Sequence, residues 1–426
     1  MRHSIVSTGL SLQDMQTKCT VAGGTHIKVF PKMGQIFCEL SPAAVKKLSE
    51  EPGLKVKPVG VVRPSGVVTV PKTDVSQETD TSNALKLIDI YAELRDFYAP
   101  ALLGTGLTVA VLDSGIRETH EALEGKVIYS KNFTQEPDCR DIFGHGTGVA
   151  YIIAGEANGR SGVAPGAKIM SIKILNNIGV GTTEEFVEAV EHVCDLVQAA
   201  IDEQLLMTDE MYPNTLNLSV GAEDTGDPDD PIRVACRVAV QEYGLQIIAA
   251  AGNTGPTFST IQVPAVDPYV VAVGGLRTWE FIVWELSSRG PTLEGYIKPD
   301  LVCWAENIEV ASHKADNEYE VKSGTSFSTP ILVGVDGLLW ELTRRIHGET
   351  ARVTYYDWLP YAPYFTVKPE GAPTTKDSTY GYGIPAVGPM VTQIMGRGTA
   401  GSVLESVVPI MMLMTIMPMM MGMAAS

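Results

Sequence analysis

LTVAVLD, residues 107–113, is too short for an ordinary helix and too continuously apolar for a strand with one wet face. A strand that meets water on one side alternates apolar and polar residues, whereas a strand covered on both sides need not. Runs of the same kind recur as KIMSIKIL (168–175), TLNLSVG (215–221), LQIIAAAGN (245–253) and VVAVGG (270–275). Between them lie segments of helical periodicity: GTGVAYIIAG (146–155), TEEFVEAVEHVCDLVQAAI (183–201) and IRVACRVAVQEYG (232–244). This alternation over residues 85–397 predicts an α/β domain built on a parallel sheet covered by helices on both faces. In such sheets, sites gather at the carboxyl ends of the strands.

Outward from that domain the pattern changes. Residues 1–65 read as a small ferredoxin-like α+β unit of order β-α-β-β-α-β. SIVSTG, THIKVF, GQIFCEL and LKVKPV are its strands, and LQDMQTKC is its first helix. SPAAVKKLSEEPG is its second helix, with Ser41 as cap, Pro42 at the first helical position and Gly53 past the end. Residues 66–84, GVVTVPKTDVSQETDTSNA, are polar and turn-rich and read as an exposed linker of the kind proteases cut. Residues 398–426 form an apolar, Met-rich tail. Its stretch 407–425 has no charged residue and holds eight of the 16 methionines, but Pro409 and Pro418 interrupt it. Membrane contact, self-association through residues 403–426, and a disordered or internally packed tail all stay open for it.

The 426 residues carry a net charge of −18, which disfavours nucleic acid as a partner. The six cysteines show no C-x-x-C pair and no metal-ligand spacing, as expected of thiols in a reducing compartment. The N-terminal stretch has no apolar core of a signal peptide, so the expected location is cytoplasmic, with membrane association only through the tail.

Four residues at strand ends or helix starts carry complementary chemistry. Asp113 ends the first strand before a Ser-Gly turn. His145 sits between two glycines at a helix start, where small neighbours are expected to leave its ring accessible. Asn253 follows a buried strand, amid Ala and Gly. Ser326 lies in VKSGTSFSTPILVGVDGL, residues 321–338, before an apolar run. Each has a bland reading as a turn or cap residue. Together they supply a nucleophile, a base to activate it, a carboxylate to orient that base and an amide to hold an oxyanion.

The stretches VAVLDSGI, GHGTGVA, GVAPGAKI, AAAGN, SSRGPT and SGTSFSTP, in this order, resemble the subtilisin-like serine protease family over residues 85–390. The resemblance implies an endopeptidase acting through an acyl-enzyme, with polypeptide substrates. Asp113 would orient, His145 would be general base and acid, Ser326 would attack, and Asn253 would lie in the oxyanion hole. It also implies an extended substrate strand bound between two backbone edges, here Gly179, Val180 and Gly181 on one side and Ser219, Val220 and Gly221 on the other. The N-terminal unit resembles the family's inhibitor prodomain, an intramolecular inhibitor removed by self-processing in the linker.

Several positions depart from the family pattern. Gly148 stands where a second His is usual. Ala122 replaces an Asp that often ligates calcium, while Asp300 matches a ligand of a weaker cation site. No cofactor is required for the chemistry, and structural calcium is left open. Gln262 occupies the floor of the main specificity pocket, where Gly is frequent, and this implies small or polar P1 residues. A different class of function is an interaction or assembly protein that keeps its prodomain latched and uses the Met-rich tail. The complete four-part site favours the enzyme.

Overall fold

The computed structural model describes residues 1–65, 102–277, 282–348, 362, 366–369 and 371–385. The linker at 66–84 and the Met-rich tail at 398–426 lie outside the described residues.

The N-terminal unit is the expected sandwich. Its strands are β1 (Arg2–Ser7), β2 (Thr25–Phe30), β3 (Gln35–Glu39) and β4 (Leu54–Pro58), in the sheet order β2-β3-β1-β4 with every pairing antiparallel. The helices are α1 (Leu12–Val21) and α2 (Pro42–Ser49). Ser11 and Ser41 cap them, each accepting an N–H three residues on, which satisfies a donor that the first turn leaves orphaned. Ile5, Met15, Cys19, Ile36, Cys38 and Leu48 fill the space between sheet and helices.

A short strand, β5 (Val61–Pro64), follows β4 and leaves the sandwich. Beyond it, seven strands form one parallel sheet. They are β6 (Thr108–Asp113), β7 (Val127–Asn132), β8 (Lys168–Lys173), β10 (Thr215–Leu218), β12 (Gln246–Ala250), β13 (Val271–Leu276) and β14 (Leu301–Trp304). Two-residue strands β9 (Gly181–Thr182) and β11 (Val220–Gly221) stand outside it. The sheet order is β14-β13-β12-β10-β6-β8-β7.

The apolar continuity of LTVAVLD has the expected cause. Val109 and Val111 pack into one core with α3 (Gly146–Ala154) and the long α6 (Thr325–His347). Ala110 and Leu112, one residue out of phase, pack into a second core with α4 (Thr183–Asp202) and α5 (Pro231–Gln241). The period of two therefore alternates between two dry faces rather than between core and water. Among the described residues, no helix is long and apolar enough to cross a membrane.

Candidate active site

β6 ends on Asp113, which is inaccessible to solvent. The Ser114 N–H donates to its Oδ1 at 2.7 Å. His145 stands at the start of α3, and its Nδ1 is 2.8 Å from each Asp113 oxygen. The glycine after it makes this approach feasible. A Cβ on Gly146 would lie 2.3 Å from the Gly115 carbonyl oxygen and 3.1 Å from the Asp113 Cβ. The glycines flanking His145 do not leave its ring open as expected: the residue is fully buried, with the Phe327 ring 5.4 Å away. Its Nε2 has no hydrogen-bond partner among the described residues.

The turn carrying His145 is held by groups that sequence reading did not single out. The buried Asp141 carboxylate accepts from Ser114 Oγ (2.8 Å), Gly144 N–H (2.6 Å), Thr147 N–H (3.0 Å) and Thr147 Oγ1 (2.7 Å). Lys173, at the end of β8, donates to the Ser114 carbonyl at 2.5 Å. Burial lowers the pKa of its ammonium, against the pull of Asp141, Glu136 and Asp113. Asp141 is four residues before His145 in the chain, a local signal that was available. Lys173 gave none, because a Lys at a strand end is ordinarily wet.

Ser326 occupies the first turn of α6. Pro330, four residues on, has no N–H to give the Ser326 carbonyl. That carbonyl instead accepts the Ser219 hydroxyl at 2.8 Å, and Asn217 Nδ2 supports the same hydroxyl at 3.0 Å. The Ser326 hydroxyl donates to the Ser219 carbonyl at 2.9 Å. Asn253 follows β12. Its Oδ1 accepts Thr325 N–H at 2.9 Å and Thr325 Oγ1 at 2.8 Å, which fixes the amide so that Nδ2 faces the site.

That Nδ2 donates to the carbonyl of Ser65, and the Ser326 Oγ lies 3.4 Å from the same oxygen. Ser65 directly follows β5, which threads between two backbone edges as the middle of a three-stranded sheet, β9-β5-β11. Val62 faces Gly181 and Val61 faces Thr182 on one side; Pro64 faces Val220 and Arg63 faces Gly221 on the other, all antiparallel. The Ser65 N–H donates to the Ser219 carbonyl at 3.3 Å. Gly181, Ser219, Val220 and Gly221 thus all meet β5 or the residue that follows it. Gly179 and Val180 lie one step earlier, in a turn closed by Asn176, whose carbonyl accepts Gly179 N–H at 2.9 Å and whose Oδ1 accepts Val180 N–H at 3.0 Å. The Gln262 side chain sits between two glycines: a Cβ on Gly221 would be 2.9 Å from its Oε1, and one on Gly252 would be 2.7 Å from its Cγ. Both Gln262 Oε1 and the Ser65 hydroxyl are buried without a partner among the described residues.

Asp300, which matches a ligand of the family's weaker cation site, is already neutralised. Lys298 Nζ and Lys376 Nζ each lie 2.6 Å from one of its oxygens, and Ala272 N–H donates to it at 2.7 Å. Burial pushes this carboxyl up, but the two ammonium groups outweigh it and hold it below the usual range. Two lysines stand where a cation would, so the residues present do not fit a metal there. Among the described residues no cluster of three or more His, Cys, Asp or Glu is placed to hold one. Ala122 is buried in the core, and Gly148 packs against Val310.

The model of the subtilase family matches residues 104–383. Serine protease AprX of Bacillus subtilis (strain 168) is 32% identical over 266 residues, 56% of this chain and 58% of that protein. A thermophilic serine proteinase of Bacillus sp. (strain AK1) is 30% identical over 240 residues, 55% of this chain and 52% of that protein. The human membrane-bound transcription factor site-1 protease is 30% identical over 242 residues, of which this chain covers 21%. The chain therefore spans about half the length, or less, of these curated relatives. The solved structure of sphericase shares the fold, with a TM-score of 0.56 at 23% identity, covering 69% of this chain and 97% of that one.

Proposed function

This chain belongs to the subtilase family, and from that premise we propose that it is a serine endopeptidase made as a self-processing zymogen, whose own first target is the Ser65–Gly66 bond. The observation that carries the reading is the place of the Ser65 carbonyl, between the Asn253 amide and the Ser326 hydroxyl, at the end of a strand bound on both edges. A polypeptide held this way presents one carbonyl to the nucleophile without demanding a particular sequence.

In this reading the Ser326 hydroxyl turns from the Ser219 carbonyl to the free Nε2 of His145 and gives up its proton there. Its oxygen then forms a bond to the Ser65 carbonyl carbon, and the carbonyl oxygen becomes an oxyanion facing Asn253 Nδ2. Asp113, on the far nitrogen, keeps the imidazole in the tautomer that accepts at Nε2 and stabilises the imidazolium. His145 next protonates the Gly66 amine as the C–N bond breaks. Water, deprotonated by His145, finally opens the ester and restores Ser326. Every side chain in this scheme belongs to this chain. With the bond cut, residues 1–65 remain as an inhibitor occupying the cleft.

Gln262 deepens the same proposal. A side chain placed between Gly221 and Gly252 takes up room in the pocket and carries a buried acceptor that a polar P1 group would satisfy. Small or polar P1 residues are therefore favoured. A peptide library that is cleaved chiefly after Phe or Leu rejects this part. The main proposal is tested by intact mass spectrometry of the full chain and of Ser326→Ala. The unmodified chain should separate after Ser65 and the variant should stay whole. Two whole chains, or two cut ones, sink the reading.

A further inference from the structure

The charge of this chain is not spread evenly. Residues 1–65 hold nine Lys and Arg against four Asp and Glu, while the remainder holds 23 against 46. The two parts meet along a seam in which, among the described residues, every ion pair has its cation on the N-terminal unit. The Arg2 guanidinium reaches Glu184 through two contacts of 2.6 Å. Lys28 pairs with Glu188, and Lys32 places its Nζ 2.8 Å from Asp195 and its N–H 2.8 Å from Glu191. Lys55 pairs with Asp229 and lies 3.6 Å from Asp227, which also pairs with Lys57.

Glu184, Glu188, Glu191 and Asp195 are spaced by four, three and four residues, so they line one face of α4. Like charges at these spacings repel one another, and without cations over them the stripe weakens its own helix. The second acidic group, Asp227 and Asp229, faces Lys55 and Lys57 of β4, just upstream of the strand that enters the cleft. Lys57 precedes Ser65 by eight residues, a separation that an extended chain bridges over up to about 28 Å.

We propose that the Asp227 and Asp229 part of this acidic surface is an exosite: once residues 1–65 have left it, it takes basic polypeptide segments lying about eight to ten residues upstream of the bond to be cut. The proposal rests on the proteolytic reading above and adds a substrate class to it. The chain's own basic segment is the precedent for such an occupant, since its lysines already sit on the acids. A vacated stripe of one sign beside a cleft also raises the local concentration of oppositely charged substrate.

The test uses enzyme prepared by self-processing of the full chain and then separated from the 1–65 fragment. Two quenched fluorescent peptides are compared, one with residues 54–70 of this chain and one with Lys55→Glu and Lys57→Glu. The charge-reversed peptide should show a KM about tenfold higher with little change in kcat, since the substitutions are remote from the reacting carbonyl and each exposed pair contributes modestly. The difference should vanish in the double variant Asp227→Asn, Asp229→Asn. It should also vanish for the unmodified enzyme at 1 M NaCl, where the Debye length falls to about 3 Å, so the result does not depend on a variant folding. Equal KM values at low salt overturn the exosite and leave the protease standing, as does a difference that survives both the double variant and the salt. No cleavage of either peptide, by a chain that also stays whole, overturns both.

Discussion

Asp113 and His145 have essentially no exposed side-chain surface, whereas Lys55 and Asp227 keep 42% and 27% of theirs. Both pairs join opposite charges or their precursors across long stretches of chain, yet they obey different physics. In the dry pocket the local dielectric is low, dissolved salt does not reach the pair, and each hydrogen bond acts at close to full strength. Along the seam, water and ions screen every pair, and a single one is worth about 0.2–1 kcal/mol. The molecule thus sets a dry pair with fixed geometry apart from a screened, half-exposed attachment of residues 1–65. Between them runs β5, a main-chain ladder that belongs to neither regime.

The largest test of that contrast is His145→Ala. It should lower kcat on the order of 10⁶-fold, a magnitude taken from the subtilisin triad itself, and abolish cleavage at Ser65. Activity within tenfold of the unmodified enzyme, measured on a peptide that contains the chain's own VVRPSGVV, would show that the buried pair is not the machine.

Asp300→Ala applies the same logic to a second dry site. It leaves Lys298, whose ammonium is already disfavoured by burial, without its main counter-charge. Removing one partner of a buried pair costs about 3–5 kcal/mol, to be read from the shift in a urea unfolding midpoint. A loss below about 1 kcal/mol would place this pair with the screened seam instead.

Asn253→Ala should reduce kcat by about 10²–10³ with little effect on KM; this range is the one known for the corresponding subtilisin asparagine. An equal loss carried by KM would mean that the amide grips the ground-state carbonyl rather than the oxyanion.

The smallest effect belongs to the seam. Burial pushes the Asp227 carboxyl up, but Lys57, the Asp229 N–H and Lys55 more than offset this and set it below its ordinary 3.8. A carboxyl lowered in the complex favours association above its free pKa, and that contribution is lost as pH falls through the lowered value. Glu191, pushed up by burial, works in the opposite sense. Acidification below about pH 4 should therefore loosen the cleaved 1–65 fragment by an amount on the order of 1 kcal/mol or less. Calorimetry of fragment release at pH 5 and pH 3 checks the sign, and tighter binding at pH 3 would reverse the argument.

Much of the architecture was legible because its causes are local. Ser41 and Pro42 start α2 as their cap chemistry requires, whereas the helix stops at Ser49 with Glu50 as its C-cap, and Gly53, at φ 80°, serves the turn beyond it. The apolar runs became parallel strands because a sheet covered twice has no wet face to register. The edge strand β7 went unnoticed, since VIYSKN is half-buried and mixed in polarity. The four site residues were picked out by their neighbours in the chain, and the structure joins Asp113 to His145 and aims Asn253 and Ser326 at one carbonyl. The His145 ring was expected to be open, and it is buried: Gly146 admits the Gly115 carbonyl, Gly144 admits the His313 ring, and neither leaves the imidazole exposed.

What the sequence determined by itself was therefore the central strands, the helices that cover them and the chemical kinds of group at their ends, because helix periodicity, strand continuity and capping depend on residues a few positions apart. Only the tertiary structure decided that VVRPS would lie as a strand between edges more than a hundred residues away, that Thr325 would orient Asn253, and that Lys376 would share Asp300 with Lys298. Those choices arise where backbone edges, buried donors and opposite charges from distant segments must satisfy one another, and no short window of sequence contains both halves of such a pair.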